Sequence, residues 1–268
     1  MAIPAIKLHG QALAAALQFL TRIPIPIEVP FEKRVLARSV VYFPIAGFAV
    51  GLGLSLFGWF IGLFVPPLPA AVLLLTIWTM LSGGLHLDGW MDTADGVLSH
   101  RSRERMLEIM KDSRVGAMGV IAAVLLLLFK FAVLVELLQL ENPLPFLSML
   151  TVVPIWSRWW MSVAIAGWPS ARQGEGIGAL FQEVTYKQVA AGFACTIILT
   201  LICCLIGGFT AVEMIALIAG GILLTIIVGW WMATWLSRKL GGLTGDTYGA
   251  LNEGIEALLL LASLIALN

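Results

Sequence analysis

The stretch GAMGVIAAVLLLLFKFAVLVELL, residues 116–138, decides the fold class. A membrane-crossing helix needs about 20 mostly apolar residues, and only Lys130 and Glu136 are charged in this stretch. The whole chain has the same character, because 60% of its 268 residues are hydrophobic and 12% are charged. Soluble domains contain about 25% charged residues. The bilayer must therefore solvate much of this chain.

Seven stretches of this kind predict an all-α, polytopic transmembrane helical bundle of about seven spans. The last stretch is too short to cross unless it begins near Ala250. An N-terminal segment, residues 11–22, is predicted to form an amphipathic or re-entrant helix that does not span. Residues 1–268 then form a single integral membrane domain. The predicted spans are residues 42–64, 69–85, 116–138, 144–166, 189–209, 211–236 and 255–267.

Lysine and arginine alternate between the connections of these spans. They occur in the N-terminal segment 1–38 and in the connections 87–115, 167–188 and 237–254, and they are absent from the three short connections between them. Because positive residues mark cytoplasmic loops, the N-terminus and the acidic loops 87–115 and 237–254 are predicted to face the cytoplasm. The net charge of zero gives no reason to expect a nucleic-acid partner.

The strongest chemical signal is GGLHLDGWMDTADG at residues 83–96. Asp88, Asp92 and Asp95 are spaced so that a helix would present all three carboxylates on one face. A bound divalent cation would remove their mutual repulsion, and hard oxygen ligands select Mg²⁺, Mn²⁺ or Ca²⁺ over zinc. The alternative is a solvated acidic loop. His86 points to the opposite face, where a capping or interfacial role is favoured over a ligand role.

A second acidic segment, GGLTGDTYGALNEG at residues 241–254, repeats the pattern. Asp246 aligns with Asp88, and Glu253 aligns with Asp95. We therefore expect a parallel pseudo-repeat in which the second and third spans correspond to the sixth and seventh. Both acidic turns would then face one site and add Asp246 and Glu253 to the predicted metal ligands. Coincidence is the alternative, since the chain contains 27 glycines.

Several cations are candidates for binding phosphate at these acidic segments. Lys111 and Arg114 precede the third span and could clamp a phosphate or contact anionic lipid headgroups. Arg172 begins a glycine-rich loop at residues 172–178 that is either phosphate-seeking or a plain connector. Arg158, inside a span, could reach a phosphate or pair with Glu256.

Lys130, the other intramembrane cation, is expected to snorkel outward or to pair with Glu136. The three cysteines lie in one apolar run and are expected to be packing thiols with no disulfide. Tryptophans at span ends are expected to form an interfacial belt, and stacking on a large ring ligand is the alternative.

The chain resembles the cobalamin synthase family at these motifs. The resemblance rests on residues 86–96 (HLDGWMDTADG) followed by 110–116 (MKDSRVG), and further on 19–24 (FLTRIP), 42–47 (YFPIAG) and 241–246 (GGLTGD). It implies a Mg²⁺-dependent transferase of the bacterial inner membrane. Its substrates would be adenosylcobinamide-GDP and α-ribazole or α-ribazole 5′-phosphate, and GMP would be released in the last assembly step of the cobalamin nucleotide loop.

The resemblance also suggests roles for the site residues. Asp88 and Asp92 would hold Mg²⁺ against the pyrophosphate, and Asp95 or Asp246 would orient or deprotonate the ribazole 3′-hydroxyl. The departing GMP phosphate would be stabilised by three cations: Lys111, Arg114 and Arg158. A homo-oligomer is compatible with the sequence.

Two other functions are alternatives to this transferase activity. CDP-alcohol phosphotransferases are also membrane enzymes with clustered aspartates, and Asp92, Asp95 and Gly96 fit the start of their pattern, but the later aspartate pair is missing. Transporter sites usually lie near the midplane at broken helices, whereas the acidic residues here border the ends of spans.

Overall fold

A computed structural model describes residues 5–30, 32–172 and 176–268 of the chain. A short 3-10 helix, Val40–Tyr42, joins α2 to α3. The α-helices of the described part are α1 (Ala5–Leu20), α2 (Lys33–Ser39), α3 (Phe43–Gly62), α4 (Pro67–Ser82), α5 (Leu85–Val97), α6 (Arg103–Ile109), α7 (Ala117–Leu137), α8 (Pro143–Gly167), α9 (Ile177–Leu180), α10 (Tyr186–Ile206), α11 (Ala211–Leu240) and α12 (Gly245–Leu267).

Six of these segments are long and apolar enough to cross a membrane: Lys33–Gly62, α7, α8, α10, α11 and α12. A seventh candidate is the apolar helix α4, which passes the same test only together with α5 after a bend of 90°. The predicted all-α polytopic bundle is thereby confirmed. Helix α1 is not among the candidate spans, and it packs on α2 and α3, in agreement with the prediction that the N-terminal helix does not cross.

The bend between α4 and α5 corrects the predicted second span, which ran to residue 85. Helix α4 ends at Ser82, and Gly83 and Gly84 follow with φ angles of 65° and 70°. Glycine adopts this left-handed conformation without steric cost. Two such residues in succession end one helix and redirect the chain, so that α5 lies across the end of the bundle outside the spans.

The two predicted acidic loops are mostly helical, which is a second correction. Residues 87–115 contain most of α5 and all of α6, and residues 237–254 are interrupted only between Leu240 and Gly245. Thr244 caps α12, because its side chain accepts a hydrogen bond from the backbone N–H of Thr247. The last span therefore has 23 residues and full crossing length.

Helix α8 lies at the centre of the bundle and contacts α3, α10, α11 and α12. Trp156 and Trp160 on α8 are each 1% exposed, so they belong to the core and not to the interfacial belt that tryptophan at span ends suggested. Close contact with α3 depends on glycine, since a Cβ on Gly51 would lie 2.6 Å from the Cα of Thr151.

Helix α11 is the longest element, with 30 residues. At a rise of 1.5 Å per residue it is about 45 Å long. A capping box between Thr210 and Glu213 fixes its first turn. Trp230 and Trp231 on its outer face are 60% and 67% exposed, as expected of tryptophans at a membrane–water interface.

Chain connectivity brings the polar segments to one end of the bundle. We call this the acidic end, and it comprises α1, α2, α5, α6, residues 21–30, 98–102, 110–116 and 168–172, the last turn of α11 and the first turns of α12. The opposite end, called the short-turn end, consists of residues 63–66, 138–142 and 207–210. The segments that contain most of the lysines and arginines therefore share one end.

Candidate active site at the crossing of α5 and α12

Helices α5 and α12 cross in close contact at two glycines. A Cβ on Gly89 would lie 2.6 Å from the backbone oxygen of Asp246, and one on Gly249 would lie 3.1 Å from the Cα of His86. The absence of side chains at both positions allows the two backbones to touch. Because Asp88 and Asp246 occupy the first turns of their helices, this crossing brings the two acidic segments together.

Three carboxylates and one guanidinium form what we call the carboxylate site: Asp88, Asp92, Asp246 and Arg172. Burial raises the pKa of Asp92 to about 7, with the negative charges of Asp88, Asp246 and Asp95 adding to the rise and Arg172 opposing it. Arg172 forms an ion pair with Asp246 at 3.4 Å. The expectation that both acidic segments face one site is confirmed by this geometry.

Arg172 reaches Asp246 because its segment is bound to the chain just before α12. The backbone N–H of Ala171 donates to the carbonyl of Leu243 at 2.9 Å, and the N–H of Leu243 donates to the carbonyl of Pro169 at 2.8 Å. Thr244 also donates its hydroxyl to Asp246 at 3.2 Å. Residues 173–175 of the predicted glycine-rich loop lie outside the described residues.

Asp95 faces a different partner from the other aspartates. Its two carboxylate oxygens accept hydrogen bonds from the backbone N–H groups of Gly116 and Gly119, each at 2.7 Å. An acidic group at this position satisfies unpaired donors at the start of α7 and complements the helix dipole. Asp95 therefore joins α5 to α7, and its predicted metal and catalytic roles remain predictions.

Lys111 and Arg114 lie in the connection from α6 to α7, beside the segment that Asp95 contacts. Arg114 is exposed and pairs with Asp112 at 2.7 Å. Hydrogen bonds from Arg114 lower the pKa of Asp112 to about 2. Both predicted phosphate-binding cations are thus at the acidic end.

Glu253 and Arg158 do not join the carboxylate site. Glu253 lies 2.5 Å from Lys130, and Lys130 also contacts Glu256 at 3.0 Å. Arg158 forms an ion pair with Glu256 and is 1% exposed, so the guanidinium is inaccessible to a substrate phosphate. The predicted Arg158–Glu256 pair is confirmed.

The prediction for Lys130 was wrong, since it turns inward to two carboxylates on α12 and not to Glu136. Glu253, predicted as a metal ligand, neutralises the buried Lys130 here, and its metal role stays a prediction. His86 is 1% exposed and hydrogen-bonded inside the bundle, so its interpretation as a capping or interfacial residue was also wrong.

The predicted pseudo-repeat holds at the two glycine pairs but not beyond them. Gly83 and Gly241 each end a helix in the left-handed conformation and each begins a turn into an acidic helix. The repeat then diverges, because α12 is itself a span, whereas α5 lies across the bundle and α6 separates it from the next span.

The sequence did not indicate that two arginines at these turns belong to the site. A Cβ on Gly83 would overlap the side chain of Arg22, and a Cβ on Gly241 would overlap the guanidinium of Arg103. Both arginines are exposed. Arg22 belongs to the segment FLTRIP, which resembles the family, and Arg103 belongs to the basic run after residue 100. Nothing in the sequence indicated which arginine packs on which glycine.

The donor set fits a hard divalent cation that is shared with a ligand. Among residues 5–30, 32–172 and 176–268, no three His, Cys, Asp or Glu side chains are arranged to hold a metal ion by themselves. Mg²⁺ commonly binds through one or two carboxylates and completes its shell with phosphate oxygens and water. Burial raises the pKa of Asp92 most and the neighbouring carboxylates add to the rise, and a cation would neutralise that excess negative charge.

Comparison with known proteins identifies the family. The model of the family described as cobalamin-5-phosphate synthase matches residues 12–264. The chain belongs to the cobalamin-5-phosphate synthase family. No solved structure matches it.

Three relatives illustrate how closely this member of the cobalamin-5-phosphate synthase family resembles curated proteins. Adenosylcobinamide-GDP ribazoletransferase from Desulfitobacterium hafniense (strain Y51) is 42% identical over 92% of this chain and 94% of its own. The proteins of the same name from Roseiflexus sp. (strain RS-1) and Brevibacillus brevis are each 39% identical, over 92% and 93% of this chain and 87% and 96% of theirs. The chain is accordingly a transferase.

Proposed function

We propose that this membrane transferase joins adenosylcobinamide-GDP to α-ribazole or α-ribazole 5′-phosphate and releases GMP. This is the activity named for its relatives. The observation that carries the proposal is the convergence of Asp88 and Asp92 on α5 with Asp246 on α12 at the acidic end. Such a group suits a diphosphate substrate that arrives with a cation.

The reaction is a displacement at phosphorus. The 3′-hydroxyl oxygen of the ribazole forms a bond to the phosphorus on the cobinamide side, the bridging P–O bond breaks, and GMP leaves with the bond's electron pair. The hydroxyl proton must be accepted by a base. Asp92 suits this step, because a carboxylate with a pKa near 7 accepts protons better than an ordinary aspartate at neutral pH.

Asp88 and Asp246 would be the protein ligands of Mg²⁺ at this site, which leaves Asp92 to act as the base. When bound, Mg²⁺ would neutralise negative charge on the diphosphate. The assignment of Mg²⁺ draws on the resemblance to the family and on the chemistry of the carboxylate donors.

The remaining role of the protein is to bind phosphate. Arg172 is already held at Asp246 by an ion pair of 3.4 Å and could exchange this partner for a substrate phosphate. Arg22 and Arg103 cover the glycine turns that precede Asp88 and Asp246, and Lys111 and Arg114 add charge beside α7. Guanidinium groups suit this task because they bind phosphate through two parallel hydrogen bonds.

The acidic end is proposed to face the cytoplasm of a bacterial inner membrane. Most of the lysines and arginines lie at this end, and positive residues are retained on the cytoplasmic side. The charged diphosphate of adenosylcobinamide-GDP favours approach from water.

The proposal is tested by Asp88→Asn and Asp92→Asn variants purified in detergent. We expect GMP release from adenosylcobinamide-GDP and α-ribazole to fall by about a hundredfold or more in each, as is typical when an electrostatic stabiliser or a general base is removed. The substitution Glu108→Gln is the matched control, because it removes an exposed carboxylate that pairs with Arg105 on α6. Turnover near that of the wild type in both aspartate variants would refute the assignment.

A further inference from the structure

Four buried charges lie within the helical bundle, beyond the carboxylate site. We call Lys130, Arg158, Glu253 and Glu256 the buried ion cluster, and their exposed fractions are 2%, 1%, 7% and 0%. Lys130 on α7 contacts both glutamates of α12, and Arg158 on α8 pairs with Glu256. Two cations and two carboxylates make the cluster electrically neutral, which burial of charge requires.

His86 connects the cluster to α5. Its Nδ1 atom lies 3.3 Å from Nη2 of Arg158 and 3.2 Å from the amide nitrogen of Asn252. Both neighbours are N–H donors, so Nδ1 is the acceptor and the ring proton resides on Nε2. Asn252 precedes Glu253 on α12. The cluster thus contacts all four helices around the crossing: α5, α7, α8 and α12.

Stability is a poor explanation for this arrangement. Replacing a buried ion pair by well-packed apolar residues is often neutral or stabilising. Polar atoms of the cluster and its neighbours also remain without partners, namely Nε of Arg158, Nε2 of His86 and Oδ1 of Asn252. Buried unpaired donors and acceptors cost free energy. Hydrogen bonds and ion pairs are directional, however, and they fix one helix against another more strictly than apolar packing does.

The cluster is placed where such a constraint acts on the carboxylate site. His86 lies two residues before Asp88 on α5, and Asn252 lies six residues after Asp246 on α12, which is less than two helical turns. The ion pairs and hydrogen bonds that join α12 to its neighbours are therefore close to the carboxylates on α5 and α12.

We propose that the buried ion cluster positions the carboxylate site by fixing α12 against α5 and α7, so that Asp246 faces Asp88 and Asp92. Lys130, Arg158 and His86 are positioning residues in this proposal, since each is at most 2% exposed and would act through the helices that it joins. Its catalytic consequence depends on the proposed function, but its structural consequence does not.

The test compares Lys130→Met, Glu253→Gln and the double variant that carries both substitutions. Each single variant leaves one buried charge uncompensated, and we expect a large fall in melting temperature, because an unpaired buried charge is strongly destabilising. The double variant restores neutrality, so its melting temperature should return towards that of the wild type. The double variant still lacks the ion pair that joins Lys130 on α7 to Glu253 on α12.

The double variant therefore separates positioning from stability. We expect its kcat to stay about tenfold to a hundredfold below that of the wild type with KM little changed, because small misplacements of catalytic groups cost rates of this size. Wild-type kcat in the stably folded double variant would overturn the proposal. Lys130→Arg, which keeps the charge and a donor, should retain more activity than the double variant.

A second readout is independent of activity. Asp88→Cys and Asp246→Cys are introduced together into protein whose three native cysteines are replaced, and the rate of oxidative disulfide formation is measured without metal. We expect the Lys130→Met/Glu253→Gln background to slow this rate, and equal rates in both backgrounds would contradict positioning. If the wild type released no GMP, the proposed function would fail while the cross-linking rates still decided the positioning proposal.

Discussion

At the scale of single residues, the charge of Asp92 depends strongly on its surroundings. Its pKa of about 7, against an ordinary value of 3.8, means that the folded protein retains a proton that the unfolded chain releases between these values. Because the folded state then binds more protons, the free energy of unfolding falls as pH rises from about 4 to about 7. Above that range Asp92 is ionised in both the folded and the unfolded state, and its ionisation lowers the free energy of unfolding no further.

This linkage predicts a pH-dependent gain from Asp92→Asn in metal-free protein. The variant should melt at a higher temperature than the wild type near pH 8, and the difference should shrink near pH 5, since the amide removes the unfavourable ionisation. Thermal unfolding of the wild type and the variant in detergent with a chelator, at pH 5 and at pH 8, measures this difference. Parallel melting curves across this pH range would show that Asp92 titrates as an ordinary aspartate. Added Mg²⁺ should stabilise the wild type more than the variant.

Residue types were predicted better than residue partners. The aspartates at positions 88, 92 and 246 and Arg172 were identified from spacing, glycine context and family resemblance, and the structure brings them together. Spacing along the chain did not reveal that Lys130 meets Glu253, because these residues belong to different helices 123 positions apart. Such a pair is fixed by helix packing, which one sequence does not specify.

At the scale of elements, the contact between α5 and α12 depends on Gly89. A Cβ there would lie 2.6 Å from a backbone oxygen of Asp246, and backbone cannot rotate away as a side chain can. We expect Gly89→Ala to push the helices apart, to destabilise the protein by about 1–3 kcal/mol as overpacking does, and to lower turnover. Thermal unfolding and GMP release measure the two effects.

Gly220→Ala is the matched control for this substitution. Gly220 lies within α11, and a Cβ on it would meet nothing within 4 Å. Alanine favours helix over glycine by up to about 1 kcal/mol, so this variant should be as stable as the wild type or more stable. If Gly89→Ala behaved in the same way as Gly220→Ala, the close crossing would have no energetic importance.

The positions of the spans were predictable because apolar length is a local property. The start of α12 was not, because its first three turns contain Asp246, Asn252, Glu253 and Glu256, which resemble a polar loop in sequence. These side chains are tolerated in a helix because other helices supply their partners. The bend after α4 was missed for a related reason: glycine permits a left-handed turn but does not require one.

At the scale of the whole molecule, the distribution of lysine and arginine predicts which end faces the cytoplasm. In protein without native cysteines, Arg101→Cys would report on the acidic end and Glu141→Cys on the short-turn end, both being exposed positions. We expect a membrane-impermeant thiol reagent to label Glu141→Cys in spheroplasts and to label Arg101→Cys only after permeabilisation. The reverse pattern would invert the proposed orientation.

The length of α11 has a consequence for the depth of the chemistry. A hydrocarbon layer is about 30 Å thick, and a helix of 30 residues exceeds it by about 15 Å before tilt is considered. Since α11 starts at a tight turn on the short-turn end, this excess emerges at the other side, where α12 begins. Asp246 then stands among lipid headgroups, whereas Glu256 lies ten residues, or about 15 Å, further along the axis of α12. The thickness of the surrounding bilayer thereby helps to set how far the reacting carboxylates stand from the hydrocarbon, and with it how readily a water-borne diphosphate reaches them.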